Sequence, residues 1–84
     1  MRLELKFFAS AREAVGQAGC VLELARAPHS VAELVNMFDP EARFEKLRDA
    51  RMRVAVNGRI LDVDAPLVVQ NGDEVAFLPP VTGG

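Results

Sequence analysis

The residues best suited to chemistry in this 84-residue chain form its last segment, Pro79-Pro80-Val81-Thr82-Gly83-Gly84. Glycine has no Cβ, so a segment ending in Gly83 and Gly84 can enter a passage that excludes every side chain. The tip of this segment carries an α-carboxylate. We therefore expect Gly84 to be the reactive residue and Gly83 to provide clearance around it.

The two prolines that precede this tip indicate how it is presented. Proline fixes φ at about −65°, so Pro79 and Pro80 should direct the chain outward in an extended form. Six extended residues reach about 20 Å, which is enough to enter the pocket of a neighbouring protein. We expect residues 79–84 to be a flexible tail in which Val81 and Thr82 are inserted together with the glycines.

Composition narrows the class of protein. Half of the residues are hydrophobic, the net charge is −2 and the sequence pI is about 5.3. This charge argues against a nucleic-acid binder, and no apolar run is long enough to span a membrane. The alternating, charged N-terminus does not resemble a signal peptide. These features predict a cytoplasmic protein of one small domain.

The other chemically capable residues give weaker signals. Cys20 could carry a persulfide, but a single cysteine among apolar residues is typical of a core position. His29 has no second ligand at metal spacing, and we expect no metal site. Five basic residues cluster in the middle of the chain: Arg43, Lys46, Arg48, Arg51 and Arg53. A solvated face is the simplest interpretation, and contact with an acidic partner is the alternative.

The elements that must position the tail follow from residue patterns. Alternation predicts strands at about 2–7, 20–24, 52–56, 59–61 and 74–78. Asn57-Gly58 predicts a type I′ hairpin turn, and residues 70–73 predict another turn. Ser30 and Glu33 form a capping box before an amphipathic helix. A similar box at Ser10 predicts a helix over 10–15 that stops at Gly16.

A further short helix is predicted after Asp39-Pro40, because aspartate is a good N-cap and proline suits the first helical position. The order of elements indicates an α+β fold with a mixed sheet of about five strands packed on one main helix. If the first and last strands are adjacent, this is the β-grasp arrangement of ubiquitin-like proteins. Residues 1–78 would form the domain and residues 79–84 its tail.

Three segments resemble the family of molybdopterin synthase small subunits, which are ubiquitin-like sulfur carriers. They are residues 7–13 (FFASARE), residues 54–58 (VAVNG) and residues 72–84 (GDEVAFLPPVTGG). The last segment is the most specific. Leu78 departs from the aromatic residue more usual there but keeps its apolar character.

The resemblance implies a sulfur-donating subunit that is not an enzyme on its own. A ubiquitin-activating-like adenylyltransferase would use ATP and magnesium to adenylate Gly84, which then becomes a thiocarboxylate. The large synthase subunit would receive the tail and pass sulfur to a cyclic pyranopterin monophosphate, forming a dithiolene. Two sulfurs per product imply a heterotetramer with two small and two large subunits. No permanently bound cofactor is expected.

The strand pattern also predicts a docking surface for these partners. Val75 and Phe77 should face the core, which places Leu78 on the opposite face. Phe8 should share that face if the first strand extends so far, and Ile60 is a further candidate. Exposed apolar residues beside a reactive tail are typical of a partner site.

Three other functions remain open on the sequence alone. The chain could carry sulfur for thiamine thiazole or a similar product, although a shorter chain without Pro-Pro-Val would then be expected. It could be a protein modifier that is joined to lysine through Gly84. It could also be an interaction module whose tail does no chemistry.

Overall fold

The computed structural model describes residues 1–62 and 64–80. In that part of the chain the strands are β1 Arg2–Phe7, β2 Gly19–Glu23, β3 Arg53–Val56, β4 Arg59–Ile60 and β5 Glu74–Leu78. The helices are α1 Ala9–Val15, α2 Val31–Phe38 and a 3₁₀ helix at Glu45–Arg48. None of the helices described is long and apolar enough to cross a membrane.

The five strands form one mixed sheet in the order β2-β1-β5-β3-β4. β5 is the central strand, and it runs parallel to β1 and antiparallel to β3. The first and last strands are therefore neighbours, with Phe7 opposite Phe77. This confirms the predicted α+β fold and its β-grasp arrangement.

The core lies between the sheet and α2. It contains Leu3, Leu5 and Phe7 from β1, Val75 and Phe77 from β5, and Leu34 and Val35 from α2, all essentially buried. The Phe7 ring lies 5.5 Å from that of Phe77 and 5.3 Å from that of Phe38. These aromatic contacts hold the ends of β1 and β5 to α2 directly below the point where the tail begins.

The main helix begins as predicted. The Ser30 side chain accepts a hydrogen bond from the Glu33 backbone N–H at 3.0 Å. The Glu33 carboxylate does not complete the box at Ser30; it accepts from the His29 backbone N–H and from Arg26. The helix N-terminus is thus tied to the loop before it.

The predicted capping box at Ser10 is wrong. Helix α1 starts one residue earlier than predicted, with Phe8 as its N-cap and without a capping side chain. The cause is the backbone of Ala9, whose φ of 47° turns the chain directly from β1 into the helix. Ser10 therefore already lies inside the first turn. The predicted stop is confirmed, because Gly16 caps the C-terminus with a left-handed φ of 86°.

The short helix predicted after Asp39-Pro40 begins later than predicted, as the 3₁₀ helix Glu45–Arg48 with Phe44 as its N-cap. Asp39 is the C-cap of α2, and Ala42 has a φ of 53°, which interrupts any helix before Phe44. The buried Asp39 carboxylate instead accepts from the backbone N–H groups of Arg43 and Phe44, both at 2.9 Å. Those bonds span four and five residues, so they close a loop rather than cap a helix.

The predicted hairpin turn is confirmed. Asn57 and Gly58 both have positive φ, at 49° and 83°, as a type I′ turn requires. The Asn57 side chain also accepts from the Glu74 backbone N–H and donates to Asp73. The hairpin is thereby fixed to the start of the central strand.

Candidate functional site at the base of the tail

The tail begins at the end of the central strand. Pro79 and Pro80 follow β5 directly and are half-buried. The predicted functional residues Val81, Thr82, Gly83 and Gly84 lie outside the described residues. The part of the site that the structure describes is therefore its base: the end of β5 and the surfaces on either side of it.

The face of the sheet opposite α2 carries the predicted docking residues. Ile60 pairs with Ala55, Ala55 with Ala76, and Ala76 with Lys6, so these four residues form one row across four strands. Leu78 lies two residues beyond Ala76 and hence on the same face. The row ends in an exposed apolar side chain, because Ile60 is 57% exposed.

Phe8 lies next to Leu78 at the end of this face. It comes one residue after the Phe7–Phe77 pair, and its backbone N–H donates to the Phe77 carbonyl at 3.3 Å. Phe7 faces the core, so alternation directs Phe8 to the opposite side, where it is 48% exposed. The structure thus brings Phe8, Leu78 and Ile60 to one face, while their role in partner binding stays a prediction.

Two further residues of this face were not predicted from the sequence. Ala55 and Ala76 lie on the outward face, yet they are only 5% and 8% exposed. Alanine is too short to stand above its larger neighbours, so these two residues form the floor of a shallow apolar area with Leu78 and Ile60 at its sides. The sequence signal for this floor was the alanine at an outward-facing position in each of β3 and β5.

A cavity of about 470 Å³ lies on the other side of the tail's base. Its walls come from the start of α1, from the 3₁₀ helix and the segment after it, and from the tail. The lining residues are Ala9, Ser10, Lys46, Asp49, Arg51, Met52, Pro79 and Pro80. The sequence did not predict this cavity, because three segments distant along the chain meet there.

The charges in this cavity are partly neutralised. The Arg51 guanidinium forms two hydrogen bonds with the Asp49 carboxylate, at 2.9 and 3.1 Å, and the Arg51 backbone N–H adds a third at 2.8 Å. These contacts hold the pKa of Asp49 below its ordinary value. Lys46 forms no ion pair within the part of the chain that the structure describes.

The weaker candidates behave as ordinary structural residues. Cys20 is opposite Leu5 in the sheet and packs against the core, where burial raises the pKa of its thiol. A raised pKa disfavours the thiolate that a persulfide carrier would need. His29 is exposed in a loop, and its carbonyl accepts from the Leu67 backbone N–H. Across residues 1–62 and 64–80, no three histidine, cysteine, aspartate or glutamate residues are grouped as a metal site.

Curated relatives match nearly the whole chain. A molybdopterin synthase sulfur carrier subunit from Escherichia coli is 39% identical, with 98% of this chain and 99% of the relative covered. The protein of that name from Haemophilus influenzae is 37% identical over the same shares of the two chains. The human protein of that name is 31% identical and is covered over 94% of its length.

Solved structures and a family model agree with these matches. A putative molybdopterin converting factor subunit 1 from Pyrococcus furiosus superposes with a TM-score of 0.70 at 28% identity, over 96% of this chain and 99% of that one. A complex of subunits 1 and 2 of molybdopterin-converting factor from Helicobacter pylori matches with a TM-score of 0.61, at 24% identity and full coverage of both chains, which shows the fold alone. The model of the ThiS family matches residues 5–84. The chain therefore belongs to the ThiS family, and its matched relatives include molybdopterin synthase sulfur carrier subunits.

Proposed function

We propose that this protein is the sulfur carrier subunit of a molybdopterin synthase and that Gly84 carries the sulfur. The observation that carries the proposal is the position of the tail. It starts at the end of the central strand, held by the Phe7–Phe77 contact, with exposed Phe8 and half-buried Leu78 beside it. The names of the relatives at 37–39% identity support the choice of pathway.

The first half of the chemistry makes the carboxylate reactive. A carboxylate shares its negative charge over two oxygens and is a poor electrophile. An adenylyltransferase would join the Gly84 carboxylate to AMP from magnesium ATP, releasing pyrophosphate. A persulfide would then attack the acyl carbon and displace AMP. A thiol would cleave the resulting acyl disulfide, leaving a thiocarboxylate on Gly84 and a disulfide on the donor side.

The second half delivers the sulfur. In the large subunit, the thiocarboxylate sulfur would form a bond to a carbon of the pyranopterin precursor while a carbon–oxygen bond at that carbon breaks, and the oxygen would leave as water or on the phosphate group. Water would then cleave the bond between the acyl carbon and sulfur, restoring the Gly84 carboxylate and leaving a thiol on the product. A second charged carrier would supply the other sulfur of the dithiolene, which fits two small and two large subunits. The carrier is consumed and recharged, so it acts as a substrate arm rather than a catalyst.

The geometry of the base suits an arm of this kind. A tail that emerges from a central strand has paired strands on both sides, so its starting point is fixed by the sheet. Pro79 and Pro80 restrict φ at the next two positions, which lowers the ordering cost when a partner receives the tail. Glycine at the last two positions would leave room for the donors that must surround the acyl group.

The carrier for thiamine thiazole and the lysine-linked modifier use the same fold, so the fold does not separate them. The relatives that cover nearly the whole chain favour the molybdopterin carrier. An assay of products separates the three, because they differ in what receives the acyl group or its sulfur.

Reconstitution tests this function. The protein is incubated with the activating enzyme, magnesium ATP and a persulfide donor, then mixed with the large subunit and the pyranopterin precursor. We expect dithiolene product with the wild-type protein and none with a variant lacking Gly84, which should fold normally. Product formed by that variant, or conjugation of the wild-type protein to lysine without dithiolene, would refute the proposal.

A further inference from the structure

The cavity at the base of the tail has a charge that the proposed sulfur chemistry does not use. Its walls include Pro79 and Pro80, so it adjoins the residues from which the tail extends. The cavity opens between the tail, the start of α1 and the 3₁₀ helix. A protein that receives the tail can therefore contact the side chains of this cavity.

The segment around this cavity is basic although the chain is acidic. Residues 43–53 hold five of the ten basic residues and two of the twelve acidic ones, a net charge of +3 in a chain of net charge −2. Three of the five are matched by carboxylates: Arg43 by Glu41, Arg48 by Asp39 and Arg51 by Asp49. Lys46 and Arg53 form no ion pair among the described residues.

Lys46 alone of these two lines the cavity. Because the charges of Arg51 and Asp49 cancel, the described residues that line the cavity carry one net positive charge, that of Lys46. The Lys46 side chain is exposed, so it retains its hydration and its freedom to meet a partner. Met52, Ala9 and the two prolines supply apolar wall around that charge.

We propose that this cavity receives an acidic side chain of the large subunit, flanked by apolar residues, when that subunit takes up the tail. This inference rests on the proposed function. One net positive charge matches one aspartate or glutamate, and the apolar wall matches the carbon atoms beside it. A nucleic acid would require a broader basic field, which the chain lacks. Lys46 would thus fix the register of docking through charge complementarity.

Charge reversal at Lys46 tests the proposal. We expect Lys46→Glu to weaken binding of the large subunit by about tenfold, because like charges would then face each other. Lys46→Gln removes the charge only and should weaken binding by about threefold. Its binding should also depend less on salt than that of the wild type, since one screened ion pair is lost. Isothermal titration calorimetry at two salt concentrations gives both readouts.

Arg2→Glu is the matched control. It makes the same change in total charge, but it lies at the opposite end of β1, about 20 Å from Phe8 at strand spacing. We expect its affinity to stay within about twofold of the wild type, as for charges outside the contact. Thermal unfolding of all three variants should match the wild type, because both positions are exposed and form no ion pair among the described residues.

Three results would overturn the proposal. Lys46→Glu could bind the large subunit as tightly as Arg2→Glu does. Its effect could be confined to the activating enzyme, which would place the acidic group on that protein. The salt dependence of Lys46→Gln could equal that of the wild type. Failure of the wild-type protein itself to bind the large subunit would overturn the proposed function together with this inference, and the wild-type titration alone distinguishes that case.

Discussion

At the scale of single residues, two serines with the same sequence signature have different roles. Ser30 and Ser10 each precede a glutamate by three positions, but only Ser30 accepts a hydrogen bond from the helix. Ser10 lies inside α1, because the positive φ of Ala9 starts that helix earlier. A capping signature therefore predicts a helix end only where the preceding backbone is free to adopt the cap conformation.

The two serines make a matched pair for measurement. We expect Ser30→Ala to lower the free energy of unfolding by about 1 kcal/mol, because the Glu33 backbone N–H loses its partner. Ser10→Ala should change it by less than about 0.5 kcal/mol, since no cap is removed. Urea denaturation of both variants measures the difference. Equal losses would contradict the assignment of the caps.

Asp39 is the residue whose role was most misjudged from sequence. Its carboxylate is buried, and burial tends to raise its pKa. Hydrogen bonds from the Phe44 backbone N–H, the Arg48 guanidinium and the Arg43 backbone N–H outweigh that effect and lower the pKa below its ordinary value. The Arg48 guanidinium donates one hydrogen bond to the Asp39 carboxylate and another to the Asp39 backbone carbonyl, each at 2.7 Å. The charged carboxylate is thus the form that the loop after α2 requires.

The lowered pKa predicts a specific pH dependence. Stability from ionised Asp39 is present above the ordinary aspartate value of about 3.9 and is lost as the pH falls below it through the folded-state pKa. Asp39→Asn should therefore be less stable than the wild type at pH 7, and the difference should shrink in that acidic range. Asp62→Asn, at an exposed aspartate, is the control and should follow the wild type. Thermal unfolding between pH 7 and pH 2 measures both, and a difference independent of pH would show that the charge of Asp39 does not stabilise the fold.

At the scale of elements, the strands were predicted well because their pattern is local. Alternation along β1 and β5 identifies which residues face the core, and Asn57-Gly58 requires a particular turn. The connection after α2 was predicted poorly because its structure depends on contacts that the local pattern does not show. The Asp39 carboxylate accepts a hydrogen bond from Arg48, nine residues further on. The loop closed by this bond occupies the positions where Asp39-Pro40 favours the first turn of a helix.

The pairing of β1 with β2 imposes a constraint on one glycine. Gly19 is opposite Lys6, and a Cβ at Gly19 would lie 2.6 Å from the Leu5 carbonyl oxygen. That neighbour is backbone, so it cannot rotate away as a side chain could. The edge strand β2 therefore approaches β1 more closely here than any side chain at Gly19 would allow.

Substitution of this glycine should separate the two strands. We expect Gly19→Ala to lower the free energy of unfolding by about 1–3 kcal/mol, the range for overpacked sites. Ala18→Gly, at the exposed neighbouring position, controls for a change between the same two residue types. Hydrogen exchange of β2 amides should increase in Gly19→Ala. Wild-type stability and exchange in that variant would show that the sheet adjusts without cost.

At the scale of the whole molecule, the proposed function makes the domain a rigid base for the tail. The adjacency of the first and last strands, the core-facing side chain of Phe77 and the apolar residues beside the tail were predicted from the sequence. The cavity with Lys46 was not, because it forms where α1, the 3₁₀ helix and the tail meet. Local patterns do not encode how such segments are brought together, so only the structure reveals that surface.

The sheet face that carries Phe8, Leu78 and Ile60 is the proposed docking face, and a substitution there should change partner binding. Phe8→Asp places a charge in the proposed contact beside the base of the tail and should abolish binding of the large subunit, because burying an unpaired carboxylate is costly. The domain should still fold, since Phe8 is 48% exposed. Val21→Asp is the matched control: Val21 is 56% exposed on β2 and pairs with Glu4, away from the tail. Unchanged affinity of Phe8→Asp would remove Phe8 from the interface.

Conversion of the proposed Gly84 carboxylate to a thiocarboxylate can be measured by mass spectrometry of the intact protein. The protein is measured after incubation with the activating enzyme, magnesium ATP and a persulfide donor. Oxidation of one of the three methionines adds nearly the same mass as exchange of oxygen for sulfur, so fragmentation must locate the change. We predict that the added mass lies on Gly84, requires ATP and is absent from a Gly84 deletion. An unmodified Gly84 in the presence of an activating enzyme that charges another carrier would show that this protein does not carry sulfur on Gly84.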